Sequence, residues 1–215
     1  MKVCVVGAGP CGLTTIKQLF DEGHEVVCFD KNKDVGGIWL RHDKDGAETK
    51  AFDNLLLTIS MKLMGYSDFP FEKGRVFFSQ PKYWEYLKQY ADHYKLGDTI
   101  RFNTEVTNVE RKAGNWTVSV RRDGAESREE FDAIAMCSGP FKTANRAIPG
   151  IENFSGEIVH SSEYRNNERF RGKRVLIVGL AESGADIVRE ISDVASASTL
   201  SIRKSTPLFR SHRMR

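Results

Sequence analysis

The sequence contains no uninterrupted apolar run of the roughly 20 residues that a transmembrane helix needs, and it therefore predicts no such helix. Met1 leads directly into the apolar run Lys2–Val6, which leaves no room for a signal peptide. We therefore expect a cytoplasmic protein. A membrane anchor is left open only for a C-terminal part beyond this sequence.

Cysteine is scarce, with four residues and no Cys-x-x-Cys pair or metal-ligand spacing. Because Cys4, Cys11, Cys28 and Cys137 lie in or beside predicted strands and a glycine turn, we expect reduced core thiols rather than disulfides. The missing pair argues against a disulfide reductase. We predict no metal site, and we find no Ser/His/Asp or Cys/His constellation.

Neither sign of charge dominates, because 32 Lys and Arg against 29 Asp and Glu leave a net charge of +3. Nucleic acid is therefore not predicted as a partner. The 215 residues are enough for one large or two small domains, each with a core that needs no disulfides.

The first thirty residues contain every part of a dinucleotide-binding unit. The apolar run Lys2–Val6 predicts a buried strand, the first glycine turn (Gly7–Gly12) has the pattern G-x-G-x-x-G, a helical pattern closes at Gly23, and Glu25–Phe29 predicts a strand ending at Asp30. The glycines permit a tight turn, a close phosphate and close helix packing, while the acid can bind a ribose. A glycine turn alone can be purely structural, but this complete order favours nucleotide binding.

A second unit of this kind begins at Lys173–Val178, a predicted buried strand followed by the second glycine turn (Gly179–Gly184) and a helical pattern. Ala181 takes the usual place of the middle glycine, and its methyl group narrows the approach of a phosphate to the backbone. The strand, turn and helix still favour binding over a merely structural turn. Two such units predict an α/β protein with two Rossmann-like domains.

The strand Thr199–Arg203 is predicted to end in a base, nineteen positions beyond Gly184. Arg203 and Lys204 suit a 2′-phosphate, where an acid would be repelled. The alternative is that they belong to a solvated basic tail.

Between the two units, alternation and turn signals predict one helix and several short strands. Asp132–Gly139 is interpreted as a buried strand that ends in a turn of small residues. The predicted helix is Pro81–Leu96, and the predicted strands are Ile100–Phe102, Val106–Val109, Trp116–Val120 and Phe131–Met136.

Three stretches resemble the flavin-containing monooxygenases. The first joins the glycine turn to Asp30-Lys31 and Gly36-Gly37-Ile38-Trp39, although a glycine turn with a core tryptophan is an alternative for the last part. The second, Leu57–Pro70, ends in Tyr-Ser-Asp-Phe-Pro. The third, Phe154–Tyr164, fits F-x-G-x-x-x-H-x-x-x-Y, in which Baeyer–Villiger enzymes usually end in Trp.

This resemblance implies an FAD- and NADPH-dependent monooxygenase that oxygenates a soft nitrogen or sulfur centre of a small molecule. NADPH would reduce FAD, and the reduced flavin would capture O2 as a C4a-hydroperoxide. Thr58 falls where the family has a flavin-facing asparagine and is the catalytic candidate. A hydroxyl has one donor where an amide has two, so we expect leakage of hydrogen peroxide. His160 is expected to couple the two domains structurally.

The resemblance also predicts the domains and the cofactor contacts. Residues 1–150 are expected to form an FAD-binding domain with a small β-meander insertion, and residues 151–215 the start of an incomplete NADP-binding domain. The predicted cofactor-binding residues are Gly7, Gly9, Pro10, Cys11, Gly12, Asp30, Lys31, Gly37, Ile38, Trp39, Thr58, Ser60, Val106, Ser138, Gly139, Gly179, Ala181, Glu182, Ser183, Gly184, Arg203 and Lys204.

The resemblance covers only the N-terminal half of the family. Either a second polypeptide carries the remainder, which is our hypothesis, or the chain is a truncated product. A homo-oligomer is a further option. The alternative function is a non-catalytic FAD- or NADP-binding half-enzyme.

Overall fold

The computed structural model describes residues 1–40, 50–71, 77–112, 114–141 and 143–203. The chain divides into two compact units: unit 1 comprises Met1–Thr49 and Pro81–Thr143, and unit 2 comprises Lys50–Gln80 and Ala144–Arg215. This division differs from the predicted boundary at residue 150, because Lys50–Gln80 belongs to the second unit. The assignment of the units to FAD and NADP stays a prediction.

The helices and strands follow the predicted order, with one additional strand, β6 (Ala125–Phe131), and one additional short helix, α2 (Met61–Met64). They are β1 (Lys2–Val6), α1 (Pro10–Asp21), β2 (Glu25–Phe29), α2 (Met61–Met64), α3 (Gln80–His93), β3 (Ile100–Arg101), β4 (Glu105–Lys112), β5 (Asn115–Arg122), β6 (Ala125–Phe131), β7 (Ala133–Met136), β8 (Arg174–Val178), α4 (Glu182–Ser192) and β9 (Ala197–Ser201).

Unit 1 is built on a four-stranded parallel sheet with the order β3-β2-β1-β7. Val3, Cys4 and Val5 in the central strand are buried, as the apolar run predicted, because such strands are covered on both faces. Helix α1 begins at Pro10, which suits the first helical position. The sheet thus carries the first glycine turn at the end of β1.

The meander β4-β5-β6 is antiparallel and packs onto the parallel sheet. Val118 and Phe131 share a core cluster with Phe29, and the rings of Phe29 and Phe131 meet edge to face at 6.2 Å. Strand β6 was not predicted, because Ala-Glu-Ser-Arg-Glu-Glu-Phe shows no apolar alternation. The prediction that Phe131 begins the following strand was therefore wrong.

Three further expectations need correction. Strands β7 and β8 were predicted as buried, but β7 is half-buried to exposed, and in β8 Leu176 and Val178 are 58% and 62% exposed. In the described part of unit 2, β8 pairs only with β9. Val175 and Ile177 of β8 pack on the core cluster that includes residues of α4, whereas the alternate side chains are exposed. Cys11 is exposed rather than part of the core.

Strand β9 ends at Ser201, so Arg203 lies two residues beyond it. Helix α3 ends three residues before the predicted Leu96. Over the described ranges, none of the helices has the length and apolar character required to span a membrane.

Unit 2 has a core that joins distant parts of the chain. Phe52, Tyr164 and Phe170 are buried with Ile187 and Ile191 of α4. The Tyr164 side chain, 1% exposed, meets the Phe52 ring at 5.5 Å. The backbone continues this contact, because the amide of Asp53 donates to the carbonyl of Arg165 at 2.8 Å.

The hydroxyl of Tyr164 donates to Glu190 Oε2 at 2.7 Å. Burial and the adjacent carboxylate raise the pKa of Tyr164 well above its usual value. The phenol is therefore a permanent donor, and it holds α4 against the motif that ends at Tyr164.

We predict that Tyr164→Phe lowers the free energy of unfolding of unit 2 by about 1–3 kcal/mol, the range for a hydrogen bond to a charged group. Chemical denaturation followed by circular dichroism measures this change. Tyr164→Phe and Glu190→Gln, alone and together, form a double-mutant cycle. Additive effects of the two changes would contradict the proposed role of this bond.

Candidate cofactor-binding sites

The first glycine turn contains two glycines that its packing requires. Gly7 has a φ of +104°, and a Cβ atom there would lie 2.6 Å from the carbonyl oxygen of Cys137. A Cβ atom on Gly12 would lie 1.8 Å from the carbonyl oxygen of Gly7. No other residue fits these two positions without a shift of the backbone.

Gly9 is different, because packing does not require it. Its φ is −75°, and the nearest atom to a Cβ there would be the Cα of Gly37 at 3.5 Å, an ordinary contact. Gly9 is also the N-cap of α1, and no side chain caps this helix end. The unblocked backbone and the positive end of the helix suit a phosphate group.

Asp30 supports the turn through backbone hydrogen bonds. Its side chain is 6% exposed, and it accepts the amide of Ala8 at 2.6 Å and the amide of Asn32 at 2.7 Å. Burial raises the pKa of Asp30, and these two hydrogen bonds offset part of the increase. Each oxygen retains acceptor capacity for a ribose hydroxyl. The sequence predicted the ribose contact but not the support of the turn.

The segment Asp34–Leu40, which we call the support loop, lies against the first glycine turn. The amide of Gly36 donates to the carbonyl of Ala8 at 3.0 Å. A Cβ atom on Gly37 would lie 3.1 Å from the Cα of Gly9, so the two backbones are in close contact. Gly37 thus lies against the first glycine turn, and its contact with a cofactor stays a prediction.

Helix α3 holds the support loop from the other side. Trp84 Nε1 donates to the carbonyl of Val35 at 3.0 Å, and a Cβ atom on Gly36 would lie 2.8 Å from Trp84 Cδ1. Lys88 Nζ lies 3.2 Å from Asp34 and 4.9 Å from the centre of the Trp84 ring. Sequence reasoning interpreted the aromatic residues of α3 only as core and missed this role of Trp84.

Four further predicted residues of unit 1 differ in their contacts: some lie beside the first glycine turn, and one packs on the core. Trp39 meets Tyr83 edge to face at 4.9 Å. Ser138 and Gly139 follow β7, whose carboxyl end lies beside the first glycine turn, because the amide of Cys137 donates to the carbonyl of Val6 at 2.9 Å. Val106 packs on the core under the meander, so the contacts described for it are structural.

The second glycine turn repeats the backbone of the first. Gly179 has a φ of +100°, and a Cβ atom on Gly184 would lie 2.4 Å from the carbonyl oxygen of Gly179. Ala181 is the N-cap of α4 and has no side-chain cap. The structure thus places strand, turn and helix as the sequence predicted, with a methyl group in place of the middle glycine.

One charged residue lies within this turn, and another follows the neighbouring strand β9. Glu182 is the first residue of α4, and its Oε1 accepts the Thr58 hydroxyl at 3.3 Å. Arg203 is exposed beyond β9, and Lys204 lies outside the described residues. Ser60, another predicted contact, caps the short helix α2 by accepting the amide of Lys62 at 3.2 Å.

His160 makes local contacts within unit 2. Its Nδ1 accepts the amide of Ser162 at 3.2 Å, and Glu163 Oε2 accepts the amide of His160 at 3.2 Å. The side chain of Glu163 also pairs with Arg146. These bonds form a capping box, so the histidine has a structural role here. Its predicted coupling of two domains stays a prediction.

Within the described ranges, no group of three or more His, Cys, Asp or Glu side chains is arranged to hold a metal ion. The sites described above therefore consist of backbone turns, helix ends and single charged groups.

Comparison with known proteins connects these turns to flavin chemistry. Residues 1–212 match the family model described as flavin-binding monooxygenase-like. The chain is 42% identical to 4-hydroxybenzoate brominase (decarboxylating) of Marinomonas mediterranea, over 94% of this chain and 39% of that protein. It is 40% identical to dimethylaniline monooxygenase [N-oxide-forming] 4 of Mus musculus, over 95% of this chain and 38% of that protein. The chain thus spans well under half the length of these relatives.

Solved structures have the same fold. S-allyl-L-cysteine S-oxygenase of Allium sativum superposes with a TM-score of 0.86 at 27% identity, over 97% of this chain and 53% of that chain. A steroid monooxygenase bound to NADP has a TM-score of 0.67 at 28% identity, over 93% of this chain and 38% of that chain. The predicted α/β fold and the resemblance to flavin-containing monooxygenases are confirmed.

The contrast between Gly9 and Gly12 generates a paired prediction. Gly12→Ala is expected to lower the free energy of unfolding by about 3 kcal/mol or more, since its methyl group overlaps the Gly7 carbonyl. Gly9→Ala is expected to cost less, about 1 kcal/mol for an unfavourable N-cap residue, and to weaken FAD binding about tenfold, or 1.4 kcal/mol. Denaturation and FAD titration measure the two effects. Equal loss of stability in both variants would contradict the separation of roles.

Trp84→Phe tests the support loop. The variant keeps an aromatic ring but removes the indole N–H that donates to the carbonyl of Val35. The lost hydrogen bond is worth about 1 kcal/mol. We expect the dissociation constant of FAD to rise about fivefold. Fluorescence titration measures it, with Trp116→Phe in β5 as the control. An unchanged dissociation constant in Trp84→Phe would mean that the bond does not position the turn.

Proposed function

Because the chain belongs to the flavin-binding monooxygenase-like family, we propose that it acts as an FAD- and NADPH-dependent monooxygenase. The reaction would transfer one oxygen atom of O2 to a soft nitrogen or sulfur centre of a small molecule. One observation carries this proposal: each unit has a glycine turn in which a helix glycine packs on the carbonyl of the first glycine. Two dinucleotide sites in one chain suit electron transfer between two cofactors.

The residues of the first turn fit FAD. Gly9 places no side chain at the N-terminus of α1, this helix end attracts a phosphate, and Asp30 has acceptor capacity for a ribose. When bound and reduced, FAD supplies the electrons that activate O2. The protein's part is to hold the cofactor and keep water away, so no side chain needs to act as a covalent catalyst.

The residues of the second turn fit NADPH less closely. Gly179 and Gly184 form the required turn, but Ala181 narrows it. Arg203 is a candidate partner of the 2′-phosphate. Thr58 stays our candidate for the flavin-facing position of the family. The predicted release of hydrogen peroxide during NADPH oxidation depends on that assignment.

The names of the relatives support the substrate class. One is an N-oxide-forming monooxygenase and one solved structure is an S-oxygenase. Tyr164 at the end of the family motif favours these reactions over Baeyer–Villiger oxidation. A second candidate reaction is bromination with decarboxylation of an aromatic acid, favoured by the similarity to the Marinomonas enzyme.

Partners beyond a small molecule and O2 are also proposals. The relatives are longer than this chain, and a second polypeptide that carries the remainder is one proposal. A homo-oligomer is another. The competing function is a half-enzyme that binds FAD or NADP without catalysis.

We predict that the purified protein shows a flavin absorbance spectrum that bleaches with NADPH and recovers in air. Mass analysis of every polypeptide in the sample shows whether a second chain is present. NADH is the matched control, and slower bleaching is expected with it. Dimethylaniline, an allyl sulfide, and 4-hydroxybenzoate with bromide then discriminate among the candidate reactions. A protein that carries no flavin after incubation with FAD and removal of the unbound cofactor would overturn the proposal.

A further inference from the structure

Helix α4 carries an acid at the end where a phosphate is expected. Glu182 is the first of the eleven residues in this helix. The N-terminus of a helix is positive and attracts anions, so a carboxylate there is stabilised. The same end should bind the phosphates of a dinucleotide. Glu182 and the phosphates therefore carry like charges at one helix end.

The first glycine turn shows the contrast. Helix α1 begins with Pro10 and Cys11 at the corresponding positions, and it has no acid in its first turn. The acid of that site, Asp30, comes from the end of β2 and accepts the backbone amides of Ala8 and Asn32. The charge on Glu182 is thus a property of the second turn alone.

Thr58 determines where this charge is held. An ionised carboxylate can only accept hydrogen bonds, so the Thr58 hydroxyl must be the donor in the 3.3 Å contact. In the described part of the chain, this is the only hydrogen bond of the Glu182 side chain, and the helix end is uncapped. The bond occupies an oxygen that could otherwise accept amides of the first turn of α4.

The segment that carries Thr58 is fixed within unit 2. Leu57 is buried, and its amide donates to the carbonyl of Phe78 at 2.8 Å. On the other side, Ser60 caps α2. The backbone at Thr58 is therefore held on both sides, although the Thr58 side chain itself is exposed.

We propose that Glu182 lowers the affinity for a dinucleotide at the second glycine turn. Thr58 is a positioning residue that keeps the Glu182 carboxylate from capping α4 in place of a phosphate. The inference rests on the proposed function of this turn, with NADP(H) as its ligand. It assigns Thr58 a role toward the nicotinamide cofactor that is independent of the flavin.

The test measures the dissociation constant of NADP⁺ by titration calorimetry on the full chain at low and high salt. Glu182→Gln is expected to bind about two- to fivefold more tightly than the wild type, the effect of one charge at a helix end. The difference should shrink at high salt. Thr58→Val is expected to bind about two- to fivefold more weakly, because the freed carboxylate caps the helix.

The double variant separates this role from a structural one. Thr58→Val in the Glu182→Gln background should have no effect on binding, because the substitution acts through the carboxylate. Asp193→Asn at the other end of α4 removes the same charge and should leave binding unchanged. Thermal unfolding of each variant checks that the fold is retained.

The outcomes distinguish the inference from the function on which it rests. Wild-type binding with no gain in Glu182→Gln would overturn the inference and leave the proposed function standing. An equal loss from Thr58→Val in both backgrounds would also overturn it. Absence of NADP⁺ binding by both the wild type and Glu182→Gln would overturn the inference together with the proposed function of this turn.

Discussion

The backbone of Ala8 is the connection on which the first candidate cofactor site depends. Its amide donates to Asp30 at 2.6 Å, and its carbonyl accepts the amide of Gly36 at 3.0 Å. This one buried residue thus joins the glycine turn, the acid after β2 and the support loop. Buried peptide groups are costly to leave unpaired. The three segments therefore have to keep their relative positions, and Trp84 extends this connection to α3.

The two glycine turns show that the same backbone can carry different chemistry. In both, the last glycine packs on the carbonyl of the first, and the first has a positive φ. The strand after the first turn ends at an acid that supports the turn itself. The strand after the second turn, β9, leads to the base Arg203, and the helix of the second turn, α4, begins with the acid Glu182. In our proposal, the turn defines a place for a phosphate, and the neighbouring charges set the affinity for each dinucleotide.

Local sequence patterns predicted those parts of the fold whose structure is determined by residues within one short segment. The unit from β1 to β2 is of this kind, because apolar runs, glycines and helical spacing follow one another in thirty residues. Strand β6 could not be predicted, because its backbone pairing with β5 determines its structure and its side chains are mostly charged. The exposure of β8 depends on what packs against it, which no local pattern contains. The bonds from Trp84 and Tyr164 join segments 26 to 49 residues apart, so only the folded chain identifies them.

The family motif that ends at Tyr164 makes structural contacts that could not be predicted from its sequence. Its histidine caps a short helix, and its tyrosine joins Phe52 to Glu190 of α4. Through these contacts, the segment that begins at Lys50 becomes part of unit 2, although α3 and the meander separate the two in the chain. That segment carries Thr58 to the first residue of α4. The motif is therefore structural in its own contacts, which join it both to α4 and to the start of the segment that carries Thr58.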